Sequence, residues 1–114
     1  MLTNAVAAAI ALKEKIGINV GVINLPWLNE IDAAWLREVV GTASHIFCID
    51  NHYKIGGQGD RIASLIAGDP TLTTTLTSIG ISEVPACGTN DEIIKFHRLD
   101  QASIATLVKA TLGY

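Results

Sequence analysis

His45 to Gly68, "HIFCIDNHYKIGGQGDRIASLIAG", is the stretch on which the reading of this chain turns. It opens on "HIFCID", an apolar run of strand length that suits a strand covered on both faces, as in a parallel sheet flanked by helices. A loop carrying Gly56, Gly57 and Gly59 follows. Ile62, Leu65 and Ile66 then fall on one face of a helix that Gly68 ends. Strand, glycine turn and helix in that order is the unit from which α/β sheets are built.

The same alternation extends in both directions. Leu2, Ala5, Ala9, Leu12 and Ile16 recur at helical spacing, and Gly17 suits the left-handed position after a helix end. "INVGVINL", Ile18 to Leu25, predicts another buried strand, stopped by Pro26. Asn29 or Asp32 can cap a helix that carries Trp35, Leu36, Val39 and Val40 and closes at Gly41. Downstream, "TLTTTLTSIGI", Thr71 to Ile81, is Thr-rich and roughly alternating, which predicts a strand near a sheet edge. Asn90 caps a short helix whose Asp91 and Glu92 sit well against its dipole. Asp100 caps the last helix, with Ile104, Leu107, Val108 and Leu112 as its apolar stripe.

Helices and strands in turn predict an α/β fold of three layers, α/β/α, with a mainly parallel sheet in one domain, 1–114. The opening helix is odd in such a scheme, because a helix of this kind normally follows a strand. The expectation is a sheet missing its first strand, lost upstream. The unpaired edge this leaves would self-associate or be covered.

Composition narrows the function. Of 114 residues, 49% are hydrophobic and 17% charged, so the chain can build a core and is no disordered tail. Net charge is −3, and the eight Lys and Arg form no cluster. With aromatics at 5%, this argues against nucleic acid as a partner. No apolar run has the length of a membrane span and no signal-peptide pattern opens the chain, so the expected setting is the cytoplasm, with no membrane partner. Two cysteines, Cys48 in an apolar run and Cys87 in a distant loop, read as reduced and unlinked thiols.

Two features could carry chemistry. The glycine loop follows a strand and opens a helix, the layout that aims backbone N–H groups at a phosphate. Its spacing is neither GxGxxG nor a GKS/GKT loop, and Asp60 stands where it would repel an anion. A turn that needs glycine for positive φ and close backbone packing explains it better. Asp50 and His52 lie at a strand's carboxyl end, where open α/β sheets place ligands, and share one face. One surface hydrogen bond between them is the simpler account. His45, Cys48, His52, Cys87 and His97 show no CxxC or HExxH spacing, so metal binding is discounted. Cys48 is expected to be buried, Cys87 has no base nearby, and Trp27 and Trp35 read as packing residues.

In order along the chain, "GINVGVINLPWLNEID" (17–32), "FCIDNHYKIGGQGDRIASLIA" (47–67) and "LTSIGISEVPACGTNDEIIKFHRLDQASI" (76–104) together resemble the carboxy-terminal domain of the transketolase family. The shared landmarks are the Val-Ile-Asn-Leu strand before a helix start, an acid-x-His followed by Gly-Gly-x-Gly, an Ile-Gly-Ile strand, and a closing Leu-Asp-x-x-x-Ile helix. Departures are Glu30 for proline, Asp50 for glutamate, Gln58 for leucine and Asp60 for serine or alanine.

The resemblance implies an intact enzyme that holds thiamine diphosphate and magnesium (or calcium) between two other domains. It implies transfer of two-carbon ketol units between sugar phosphates, in the pentose phosphate pathway. It also implies that this chain alone binds no cofactor and is not catalytic. Its Gly59-Asp60 and Gly68-Asp69 pairs are followed by Arg and Pro, unlike the Gly-Asp-Gly segment that holds the metal. Implied partners are the thiamine-binding domains or subunit of the same enzyme, in a homo-oligomer. Asp50, His52, Gly56, Gly57 and Gly59 then become an interface or anion loop. The rivals are a free-standing small-anion or nucleotide-binding regulatory domain using the Gly56–Gly59 loop, and a small hydrolase or redox enzyme using His52 and Cys48.

Overall fold

The computed structural model describes residues 1–114. Local chemistry sets most element boundaries. The Ala-rich helix α1 (Leu2–Ile16) ends at Gly17, whose φ of 73° is left-handed and whose N–H donates to Lys13 O. Asp32, of the two candidate caps, starts α2 (Ala33–Val40): its carboxylate accepts from Trp35 N at 2.7 Å. Strand β1 (His45–Tyr53) leads through the glycine loop to α3 (Gln58–Gly68), and β2 covers Thr75–Ile81. Helix α4 (Asn90–Phe96) is capped by Thr89 and not by Asn90, because Thr89 N–H donates to Glu92 at 2.9 Å and fixes the first turn one residue earlier. Asp100 caps α5 (Gln101–Thr111) by accepting from Ala102 N and Ser103 N.

The chain forms two compact units, Met1–Asn24 with Glu83–Tyr114, and Leu25–Ser82. In the first, α1 packs on α5. Ala8 and Leu12 are the buried residues of α1, and Ile104 and Val108 those of α5. Polar side chains tie the same unit together: Asn4 Nδ2 donates to Leu99 O at 3.0 Å and Gln101 Nε2 to Ala7 O at 3.3 Å. Leu107, expected in the apolar stripe of α5, is exposed.

The second unit is built on a two-stranded parallel sheet, β1 beside β2, with His45 opposite Thr75 and Ile49 opposite Ile79. Its core joins Ile31, Leu36, Cys48, Ile62 and Leu72, with Trp35, Ile46, Leu65 and Leu76 packed against them. Full burial of such an aliphatic side chain contributes about 1.5–3 kcal/mol, so these few contacts dominate the unit's stability.

One expected strand is absent. Ile18–Leu25 forms no ladder, and Val22 and Ile23 are exposed. Apolar composition favours an extended segment, but only pairing makes it a strand, and the sheet contains β1 and β2 alone. The parallel α/β character holds, on two strands where the sequence suggested three. No helix is long and apolar enough to cross a membrane.

Candidate functional site at the end of the first strand

The loop predicted to matter is shaped by four glycines, each for its own reason. The regular β1–β2 register breaks between Ile49 and Tyr53, and Lys54 N–H rejoins β2 at Ile81 O, 3.0 Å away. This bulged segment crosses Gly80 so closely that a Cβ there would lie 2.9 Å from His52 O. Gly56 takes a left-handed φ of 77°. Gly57 has an ordinary φ, but a Cβ on it would meet Asp50 Oδ2 at 2.5 Å, Lys54 O at 3.1 Å and His52 Cε1 at 3.2 Å. Gly59, in the first turn of α3, presses on the sheet: its Cβ would stand 3.2 Å from Ser78 Cβ and 3.6 Å from Cys48 Cβ.

Asp50 is not on the surface. It is 5% exposed, under the glycine turn and the start of α3. Its Oδ1 accepts from Gln58 Nε2 at 3.0 Å, and the same amide nitrogen donates to Ile49 O at 2.9 Å. His52 Nε2 stands 3.4 Å from that Oδ1. The other ring nitrogen, Nδ1, lies 2.8 Å from Tyr53 O, and since a carbonyl only accepts, Nδ1 carries the proton there. Oδ2 of Asp50 is buried without a partner. The expected surface pair is therefore a half-buried one, because the bulge turns Asp50 inward and Gln58 covers it.

Backbone donors in the loop are largely spent. Gly56 N–H donates to Asp60 Oδ2 at 2.7 Å and Gly57 N–H to Lys54 O at 3.1 Å. An incoming anion would find those two groups taken and the Asp50 and Asp60 carboxylates beside it. That donor set does not suit a diphosphate. Nor do any three His, Cys, Asp or Glu side chains gather where a metal could sit.

The remaining candidates are dispersed. Burial, and then the Asp50 charge, push the Cys48 thiol up to about 12, so it stays protonated at neutral pH and is no nucleophile. Cys87 is exposed, and both cysteines are free. His45 is bonded to Thr77 Oγ1 at 2.8 Å and stacks on Phe47, while His97 Nε2 accepts from Ala86 N–H. Trp35 packs on the core as expected, but Trp27 is 67% exposed. The part Gly80 plays in this corner, and the bonds by which Gln58 holds Asp50 and Asp60 holds Gly56, were not foreseen from the sequence. A glycine inside the strand pattern "SIGI" is the signal that could have found Gly80, since such a glycine marks a bulge or close backbone approach.

The sequence profile described as "Transketolase, C-terminal domain" matches residues 1–104. The chain belongs to this family. Transketolase of Rattus norvegicus is 31% identical over 110 residues, which are 95% of this chain and 17% of that protein. The "Putative transketolase C-terminal section" of Methanocaldococcus jannaschii is 31% identical over 102 residues, 89% of this chain and 31% of that protein. The 1-deoxy-D-xylulose-5-phosphate synthase of Chlorobium luteolum is 28% identical over 109 residues, 95% of this chain and 17% of that protein. This transketolase C-terminal domain thus spans less than a third of each of these relatives.

Proposed function

We propose that this transketolase C-terminal domain serves as an assembly module of a thiamine-diphosphate-dependent enzyme. It packs on the thiamine-binding domains, in the same polypeptide or in a partner subunit, and contributes to a homo-oligomer. The assembled enzyme transfers two-carbon ketol units between sugar phosphates, in the cytoplasm. Thiamine diphosphate and its metal are held by the other domains, and the chain alone neither binds the cofactor nor turns over substrate.

The observation that carries this reading is the family match over nearly the whole chain together with the small share of each relative it covers. The site chemistry supports it: a protonated, buried thiol and a loop tied to itself suit a structural corner better than a reaction centre. The rival small-anion domain has no observation in its favour, because the Gly56 and Gly57 donors are already engaged.

Two titrations test the proposal. Thiamine diphosphate with magnesium should give no heat of binding with this chain alone. Mixing the chain with the thiamine-binding portion from the same source should give a complex that transfers ketol units. Tight cofactor binding by the isolated chain, or full transferase activity of the other portion without it, would sink the reading.

A further inference from the structure

A cavity of about 170 Å³ opens where β1 and β2 begin, at the opposite end of β1 from the Asp50–His52 corner. Two loops form it, the turn from α2 into β1 and the one from α3 into β2. Thr42 and Ser44 come from the first loop and Thr71, Thr73 and Thr74 from the second, so five hydroxyl-bearing side chains line it. Thr75 N–H donates to Ser44 O at 2.9 Å and ties the two loops together where the strands start. No charged side chain is part of the lining.

Thr74 sets this place apart from an ordinary loop surface. It is 8% exposed, and its Oγ1 is buried with no hydrogen-bond partner. A hydroxyl left in that state costs stability, and valine, of nearly the same shape, would serve packing better. A turn about χ1 toward the cavity forfeits no bond, so the hydroxyl is free to meet a ligand there.

Charge and size select the occupant. The first loop follows the carboxyl end of α2, where the helix dipole is negative and an anion is disfavoured. Divalent cations take carboxylate oxygens, and none lines the cavity. The Asp69 carboxylate, bonded to Thr71, is already paired with Arg37. Hydroxyl groups both donate and accept, which is the pattern that other hydroxyl groups match. Thr71 gives its proton to Asp69 at 2.6 Å and keeps its acceptor side. The volume is well below the roughly 300–1,000 Å³ of pockets for drug-sized ligands, so the occupant is small.

We propose that this cavity binds a small neutral polyhydroxylated molecule, a polyol or unphosphorylated sugar of about three to five carbons. The Thr and Ser hydroxyls hold it from both loops, and Thr74 turns to bond it. The site lies on this chain alone and is independent of the assembly reading. With so few contacts, the Kd falls in the millimolar range.

NMR of the 15N-labelled chain tests this, with erythritol, D-ribose and D-ribose 5-phosphate as probes. Erythritol and D-ribose should give saturable shifts confined to the amides of residues 41–44 and 71–74. D-Ribose 5-phosphate should bind no more tightly than D-ribose. Thr74→Val should keep or raise the urea midpoint without ligand, and should raise the Kd at least about threefold. Thr42→Val, on the exposed rim, should weaken binding and leave the midpoint where it was. Shifts that stay linear, or that spread over the whole surface, would mean that the cavity only holds solvent and would overturn the inference. Tighter binding of the phosphate ester would make this an anion site and overturn it too. A Thr74→Val chain that binds both probes like the parent, or that unfolds at lower urea, would remove the role given to the Thr74 hydroxyl, and the inference falls with it.

Discussion

At Gly57 the backbone passes within contact distance of Asp50, His52 and Lys54 at once, so hydrogen is the only side chain that fits. Gly57→Ala would bring a methyl 2.5 Å from the buried Asp50 Oδ2. Asp50 cannot swing away, since Gln58 holds its other oxygen. The expected cost is about 1–3 kcal/mol, the range for overpacking, read as a lower midpoint in urea. Gly68→Ala has open space around the new methyl and should leave the midpoint within about 0.5 kcal/mol, giving the control. Thiol chemistry gives a second residue-level test. Cys48 is buried and protonated, whereas Cys87 is exposed, so a maleimide reagent at neutral pH should label one thiol per native chain and two after unfolding. Fast labelling of Cys48 in the native state would contradict its placement in the core. The glycines were legible as a turn because their spacing excluded nucleotide loops. Their separate tasks were not, because close approach to Ser78 or Asp50 depends on a strand register that local sequence does not encode.

Capping is the chemistry at the scale of the element, and here it is concentrated in carboxylates. Hydrogen bonds from Thr71, first from its hydroxyl, hold Asp69 below the usual carboxylate range, with Arg37 adding to them. Thr89 does the same for Glu92, and Ser103 for Asp100. A folded pKa below the unfolded one means stability that is present above the unfolded value and lost as pH falls through the folded one. The window therefore opens below the ordinary values, 3.8 for the aspartates and 4.5 for the glutamate. Far-UV circular dichroism should show helix loss on acidification beginning in that range. The Asp100→Asn variant should start from lower stability and show a shallower acid slope. Replacing Asp100 by alanine should cost about 1 kcal/mol, the usual worth of an N-cap, measured by urea unfolding. If the alanine variant unfolds at the same midpoint, the bonds to Ala102 and Ser103 contribute nothing. Asp32, Asp100 and Gly17 were readable as caps because a cap is a contact between near neighbours. Ile18–Leu25 was misread for the opposite reason: a strand is defined by its partner, and no local pattern supplies one.

The molecule as a whole leaves much apolar surface in water. Leu2, Val6 and Ile10, spaced four apart on α1, are all exposed, as are Trp27, Leu28, Ile55, Val84 and Phe96. Single exposed aliphatic residues are ordinary in a monomer, whereas a stripe along one helix is the kind of apolar patch that marks an interaction surface, and Trp27, in the other unit, is a separate exposed apolar site. The ordered motifs between Gly17 and Ile104 made the family legible over most of the chain. A partner for these exposed residues was not legible, because no pattern within one chain encodes the surface it would meet. Trp27 offers a direct reading of it. The chain has two tryptophans, and Trp35 already packs on the core, so a change in environment on assembly should come from Trp27. Titrating the chain with the thiamine-binding portion should shift its tryptophan emission to shorter wavelength and reduce quenching by acrylamide. To remove the partner's own signal, the titration uses chain labelled with 5-fluorotryptophan and read by 19F NMR, where Trp27 and Trp35 give separate lines. The Trp27 line should move and broaden while the Trp35 line holds, and Trp27→Phe should abolish the moving line without lowering the urea midpoint by more than about 0.5 kcal/mol, as expected for an exposed side chain. A Trp27 line that stays sharp and solvent-accessible in a complex already shown by light scattering would mean that Trp27 takes no part in the assembly.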